Sequence, residues 1–315
     1  MKLFLTFGLL LACGATLSSA QWNTVTGYAT LNGGTTGGQG GETVYVSNEA
    51  QLVAAVTGND PRIVKITSMI TLSDVVRPGS NKTILGASPG AGVTGSGFYI
   101  RRVQNVIVRG LQISYSIAPD DGVSIDEATN VWIDHNEFFA DREHGKDYYD
   151  GQLDVKHAAD WITVSWNKFH DSYKTSLVGH SDNNAGEDTG KLHITYNNNW
   201  FTDVGSRLPS LRFGTGHIYN NLYERVDISG INSRMGAQVL VERNIFIDVV
   251  TPLTTDLDSD LEGFAVEREN DWGDSEPNIT QEGSFTNPPY SYEMEALNRV
   301  AAVVRAGAGN TISFP

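Results

Sequence analysis

Cationic side chains are scarce in this sequence. Lys and Arg together number 22 against 37 Asp and Glu, giving a net charge of −15. That balance excludes nucleic acid and anionic membranes as natural partners. An acidic protein acting on an acidic polymer meets long-range repulsion, so it needs a local cluster of cations, a bound metal, or both. Cysteine is nearly absent: the single residue, Cys13, lies in the apolar N-terminal stretch. Once that stretch is removed no disulfide can form, and stability must come from packing and backbone hydrogen bonds. This favours a large, regular, strand-rich fold. Long apolar runs are missing after residue 20, so no transmembrane helix is expected.

The N-terminus explains the exception. Lys2 is followed by LFLTFGLLLACGA and TLSSA, with small Ser18 and Ala20 placed for signal peptidase. Residues 1–20 read as a signal peptide and 21–315 as a single domain of a secreted protein. Asn81-Lys-Thr83 and Asn278-Ile-Thr280 fit the N-glycosylation pattern. They are candidates only in a eukaryotic host.

NGGTTGGQGG (32–41) lacks the GK[ST] of a phosphate loop and reads as flexible turn chemistry. SNEAQLVAAV (47–56) predicts a short helix capped by Ser47, and a second helix is expected near 292–304. Between them the chain is β-like and punctuated by Asn, Asp and Gly. An Asn, one residue, then an aromatic recurs at Asn136/Phe138, Asn167/Phe169, Asn199/Phe201, Asn221/Tyr223 and Asn244/Phe246, with Asn-to-Asn steps of 31, 32, 22 and 23. A period near 22 with insertions of about nine predicts an all-β solenoid, a parallel β-helix with asparagine ladders at its turns and stacked aromatics inside. A β-sandwich also repeats its strands. It would carry Asn-Gly hairpins, and the one such pair, Asn32-Gly33, lies outside the repeat.

The longer steps flank YDGQLDVKHAAD (149–160), which alternates Asp150, Gln152, Asp154 and Lys156 with Gly151, Leu153 and Val155. On a straight strand residues four apart lie about 13 Å apart, too far to share one Ca²⁺ held at about 2.4 Å. Either the acids share no metal and form a solvated polar face, or the chain bends at Gly151, with Asp150 at a loop end and Asp154 on the strand. Asp121 precedes Asp150 by 29 residues, close to one insertion-bearing coil. Stacking brings such positions within about 5 Å, so Asp121, Asp150 and Asp154 can form an all-oxygen site suited to Ca²⁺. Lys174 falls in what reads as a polar loop, where a plain surface lysine is the simplest account. Arg207 and Arg212 flank Pro209. Five apart they fall on opposite faces of a strand, unless a turn at Pro209 brings both to one surface. Paired arginines recognise carboxylates.

NVWIDH (130–135), DGQLDVKHAADWITVSWNKFHD (150–171), KTSLVGHSD (174–182) and RLPSLR (207–212) resemble the signature blocks of pectate lyases of polysaccharide lyase family 1, in order over nearly the whole chain after residue 20. The resemblance implies a right-handed parallel β-helix with short flanking helices and functional loops on one side. It implies Ca²⁺ as cofactor, held by Asp121, Asp150 and Asp154. Lys174, Arg212 and Lys156 would bind substrate carboxylates, and Arg207 would be the catalytic base. Chemistry alone would prefer Lys174 for that role. Trp132 and Asp134 fall in a structural motif. The implied reaction is Ca²⁺-dependent β-elimination on de-esterified polygalacturonate by a monomeric, extracellular enzyme with an alkaline optimum.

The alternatives are pectin lyase, acting on methyl-esterified substrate without the acidic triad; a polygalacturonase, whose NTD, GHG and RIK motifs are absent; and a non-catalytic glycan-binding β-helix. DLDSDLEGFAVE (256–267) mimics an EF-hand loop. It has Leu261 where Gly is required and predicts a solvated acidic loop.

Overall fold

The computed structural model describes residues 24–315; the expected signal peptide lies outside them. Among the described residues, parallel strands form three sheets of ten, eight and seven strands, here sheets A, B and C. The chain visits A, B and C in turn. Thr129–Asp134, Glu137–Phe139 and Leu153–Lys156 make one coil, and Asp160–Ser165 begins the next by pairing with Thr129–Asp134. This is a parallel β-helix. Its coils differ in length only at their corners, so strand register survives insertions.

The repeat marks the corner between sheets A and B. Asn167 Oδ1 accepts both the backbone N–H and the side-chain Nδ2 of Asn136, at 2.9 and 3.0 Å. The same double bond links Asn167 to Asn199, Asn199 to Asn221, and Asn221 to Asn244. Asn270 adds a further rung beyond the five Asn of the sequence repeat, and Trp272 follows it. Two residues past each Asn an aromatic points inward. Phe138, Phe169, Phe201, Tyr223, Phe246 and Trp272 stack with centroids 4.5 to 5.0 Å apart, the spacing of paired strands. With β-branched and Leu side chains from all three sheets they form one continuous core from Val46 to Ala265.

Both insertions border sheet C. Residues 140–149 lie between Glu137–Phe139 and Leu153–Lys156, and residues 179–192 lie between Leu177–Val178 and His193–Asn197. Three local expectations need correction. The first helix, Glu49–Val56, is capped by Asn48, whose side chain accepts from Gln51 N, and not by Ser47. The second helix is Leu297–Gly307, starting later than expected. The glycine-rich stretch is not a free turn. It belongs to a strap across the outer face of sheet A, where Tyr28 N reaches Thr195 Oγ1, Ala29 N Thr163 Oγ1, Asn32 Nδ2 Asn130 Oδ1, Gly37 N Asn105 Oδ1 and Gly38 N Thr83 Oγ1. A Cβ on Gly38 would sit 1.9 Å from Arg62 O, so glycine is required there for close approach.

Candidate active site

Sheet C and its borders carry the charged residues singled out in the sequence, arranged along four consecutive coils. Asp121 lies just before Val123–Asp126. One coil later Asp150 ends the 140–149 loop, and Asp154 and Lys156 sit on Leu153–Lys156. This is the bend-then-strand arrangement that a shared metal would need, with Asp150 outside the strand and Asp154 on it. On the next coil Lys174 ends the strand Lys168–Lys174. It is therefore a strand residue, paired in register with Ser206, and not part of a polar loop. The fourth coil brings Arg207 and, on Ser210–Arg212, Arg212. The chain passes from Trp200–Ser206 of sheet B to Ser210–Arg212 of sheet C across the cis Leu208–Pro209 bond, and Arg207 is pinned through its carbonyl to Ser176 N at 2.7 Å.

The acids face one another over Gly151. A Cβ at that position would lie 2.4 Å from Asp154 Oδ1 and 2.9 Å from Asp121 Oδ1. The missing side chain leaves a small cradle between two carboxylates. Each acid has one oxygen fixed by the backbone: Gly151 N donates to Asp121 Oδ1 at 3.1 Å, and Leu177 N to Asp154 Oδ1 at 3.0 Å. Their Oδ2 atoms turn to the Lys156 ammonium, at 2.6 Å from Asp121 and 3.6 Å from Asp154. Burial raises the pKa of both Asp121 and Asp154. For Asp121 the Asp154 charge adds to this, while Lys156 opposes it for both. Burial works against the Lys156 ammonium, but Asp154 and Asp121 outweigh it and raise its pKa.

These residues fit a hard divalent cation by donor chemistry and by the Gly151 cradle. Among the described residues no three His, Cys, Asp or Glu side chains are already gathered as a metal cluster. The reason is visible: Lys156 holds Asp121 and Asp154, while Asp150 Oδ1 pairs with Lys174 at 3.0 Å.

The cations differ in how they are held. Lys174 also contacts Asp147 at 3.2 Å. Arg212 donates through Nε to Asp182 and through Nη1 to Gly179 O. Among the described residues the Arg207 side chain has no hydrogen-bond or ion-pair partner, yet its charge is felt by buried Asp154. Arg207 is thus the uncommitted guanidinium of the group. Arg234 was not foreseen. It stacks in register on Arg212, and burial together with the Arg212 charge pushes its pKa down to about 10. The step from Arg212 to Arg234 is 22, one uninserted coil, so extending the repeat to charged residues would have found it.

The acidic loop after Thr254 is no EF-hand. A strand, not a helix, lies on each side of it. Its Leu257 and Asp258 carbonyls accept from Asn232 and Arg234, and Ser259 Oγ donates to Asp182. Asp134 is buried on sheet A, accepting from Arg109 Nε and Ser165 Oγ, in keeping with a structural role. Asn81 and Asn278 both spend their amides on internal hydrogen bonds, to Asn59 O and Asp256 Oδ1. A cavity of about 740 Å³ lies elsewhere, between the strap and residues 291–295, and its lining contains Glu293 and Glu295 but no Lys or Arg. It suits a polyanion poorly.

The protein-family model that matches, described as pectate lyase, covers residues 2–276. Pectate lyase A of Emericella nidulans is 50% identical over 291 residues, covering 91% of this chain and 87% of that protein. Pectate lyase A of Aspergillus niger is 46% identical, covering 98% of this chain and 96% of its own. Among solved structures, a Bacillus pectate lyase in complex with trigalacturonate superposes with a TM-score of 0.81 at 31% identity, covering 91% of this chain and 98% of that one.

Proposed function

The chain belongs to the pectate lyase family, and on that premise we propose that the charged groove on sheet C performs Ca²⁺-dependent β-elimination on de-esterified galacturonan. That the chain is an enzyme cleaving pectate follows from the family and its relatives; the cofactor, residue roles and products are the proposal. The observation that carries it is the order of charge along the coils. Acids occupy two neighbouring coils, and three cations occupy the next two.

In this reading Asp121, Asp150 and Asp154 hold the metal. Bound there, Ca²⁺ supplies Lewis acidity toward a substrate carboxylate. Lys174, Arg212 and Lys156 orient neighbouring carboxylates of the polymer. The hydrogen at C5 of a galacturonate is weakly acidic because a carboxylate adjoins it. Arg207 takes that proton, and the electron pair of the C5–H bond becomes the C4–C5 double bond. The C4–O bond breaks, and the leaving oxygen takes up a proton. Lys174 and Arg212 stabilise the negative charge that develops on the carboxylate. A guanidinium gives up its proton only to alkali, so activity rises with pH. Residues 21–315 act as one extracellular, monomeric catalytic domain.

The test is near-ultraviolet absorbance of unsaturated ends released from polygalacturonate, with and without chelator. We expect no release in excess chelator. Arg207→Ala lowers turnover by about 10³-fold while retaining binding to polygalacturonate. Undiminished cleavage by that variant rejects the assignment. Against pectin lyase stands the intact acidic triad, which an uncharged ester does not need. Faster cleavage of highly methylated pectin would favour that alternative.

A further inference from the structure

We propose that Lys156 is a place-holder for the metal. Its ammonium occupies the position between Asp121 and Asp154 in the unloaded enzyme, yields it to Ca²⁺, and only then becomes free to bind substrate.

As a hand on the polymer, Lys156 has a prior engagement in the structure. Its Nζ sits 2.6 Å from Asp121 Oδ2, and Asp154 Oδ2 lies 3.6 Å away. The other oxygen of each acid is already taken by a backbone N–H. The Oδ2 atoms are therefore the ones a metal can claim, and they are the ones Lys156 holds. While its ammonium neutralises these two acids, Lys156 has less charge to offer a uronate carboxylate.

The exchange is favourable on charge. Asp121 and Asp154 are 5% and 3% exposed, and Asp150 acts on both. Lys174 serves Asp150, so the single Lys156 ammonium is left to neutralise both buried carboxylates, and a divalent ion with hard-oxygen preference does better. Departure is also sterically open. Lys156 is 22% exposed along its side chain. It borders a pocket of about 200 Å³ that Tyr99, Asp120 and Asp126 also line. No core side chain has to repack. Calcium and polygalacturonate thus help each other bind through Lys156, in addition to any direct bridge between metal and substrate carboxylate.

The inference rests on the acidic triad being the calcium site, and the two claims separate in one experiment. Calorimetric titration of the secreted enzyme with CaCl₂ alone at pH 8.5 gives the affinity without substrate. Lys156→Gln should bind Ca²⁺ about tenfold more tightly than wild type, while Lys156→Arg, which keeps the positive charge, should remain near wild type. Asp154→Asn should abolish the site. If Asp154→Asn binds Ca²⁺ normally, the triad reading and the place-holder fall together. If Asp154→Asn is dead to calcium but Lys156→Gln is unchanged or weaker, the place-holder alone falls. A second readout needs no variant. Reductive methylation followed by mass spectrometry should label Lys156 slowly without calcium and several-fold faster with it, and equal rates in both conditions would also overturn the exchange.

Discussion

At the scale of single residues, the groove is a set of charges that, Arg207 apart, already have partners. Asp182 is the least obvious of them. Arg212 and Ser259 hold its carboxyl below the usual carboxylate range, overcoming burial. It stays ionised and fixes the Arg212 guanidinium through Nε. Asp182→Ala should raise KM for polygalacturonate about tenfold, the effect of losing one charge-assisted hydrogen bond, with little change in Tm. Glu137 shows how a single pair sets acid stability. The His170 imidazole 3.3 Å away, with Gln112 and Lys168, lowers its pKa to about 2 against burial. Its contribution is fully present above the unfolded carboxyl range near 4.3 and is lost as pH falls through about 2. Denaturation midpoints of Glu137→Gln, followed from pH 5 to pH 2, should fall less steeply than wild type. Asp150, Asp154, Lys156, Lys174, Arg207 and Arg212 stand in the signature blocks, and Asp121 one coil before Asp150 by spacing. These charges were legible in the sequence, while Arg234 lies outside the blocks. The pairings were not legible. Lys156 on Asp121, or Ser259 on Asp182, depends on contacts between coils that no local spacing encodes.

At the scale of elements, the asparagine ladder is the strongest local determinant. Asn199 accepts twice from Asn167 and donates to Val164 O, all buried. Asn199→Ala strands the buried Asn167 N–H and removes the donor to Val164 O and Asn221 Oδ1, and should lower unfolding free energy by about 3 kcal/mol. Asn270→Ala, at the more exposed end of the ladder, should lose about half as much. Chemical denaturation of the two variants measures the difference. The ladder was readable because every coil presents the same residue at the same corner. Lys174 was misread for the complementary reason. Lys168–Lys174 has a polar outer face with His170, Asp171 and Lys174 partly exposed, so its sequence has the composition of a loop although its backbone pairs in register. The glycine-rich stretch was misread similarly: composition signals freedom, while the demand on it is close approach.

At the scale of the whole molecule, net charge and local charge oppose each other. The chain carries −15 yet belongs to a family that cleaves a polyanion, and the proposed site sets a few clustered cations against that charge. Raising ionic strength from about 10 to about 100 mM shortens the Debye length from about 30 to about 10 Å. Distant repulsion is then screened more than contact attraction. At fixed free Ca²⁺, KM for polygalacturonate should therefore fall over this range, and steady-state rates at several NaCl concentrations test this. A basic protein would show the reverse.

The strap across sheet A has a consequence for how the molecule is made. Residues 28–38 bond to five successive strands, from Thr195 back to Thr83. These residues are synthesised before any of those strands, and Tyr28 waits for a partner 167 positions downstream. Coils can wind one upon another as the chain emerges, each needing only its neighbour. The strap cannot close until the coil of Thr195 is wound. A segment that leaves the ribosome before every strand it binds is thus among the last to be fixed, a clasp fastened over a spring already coiled.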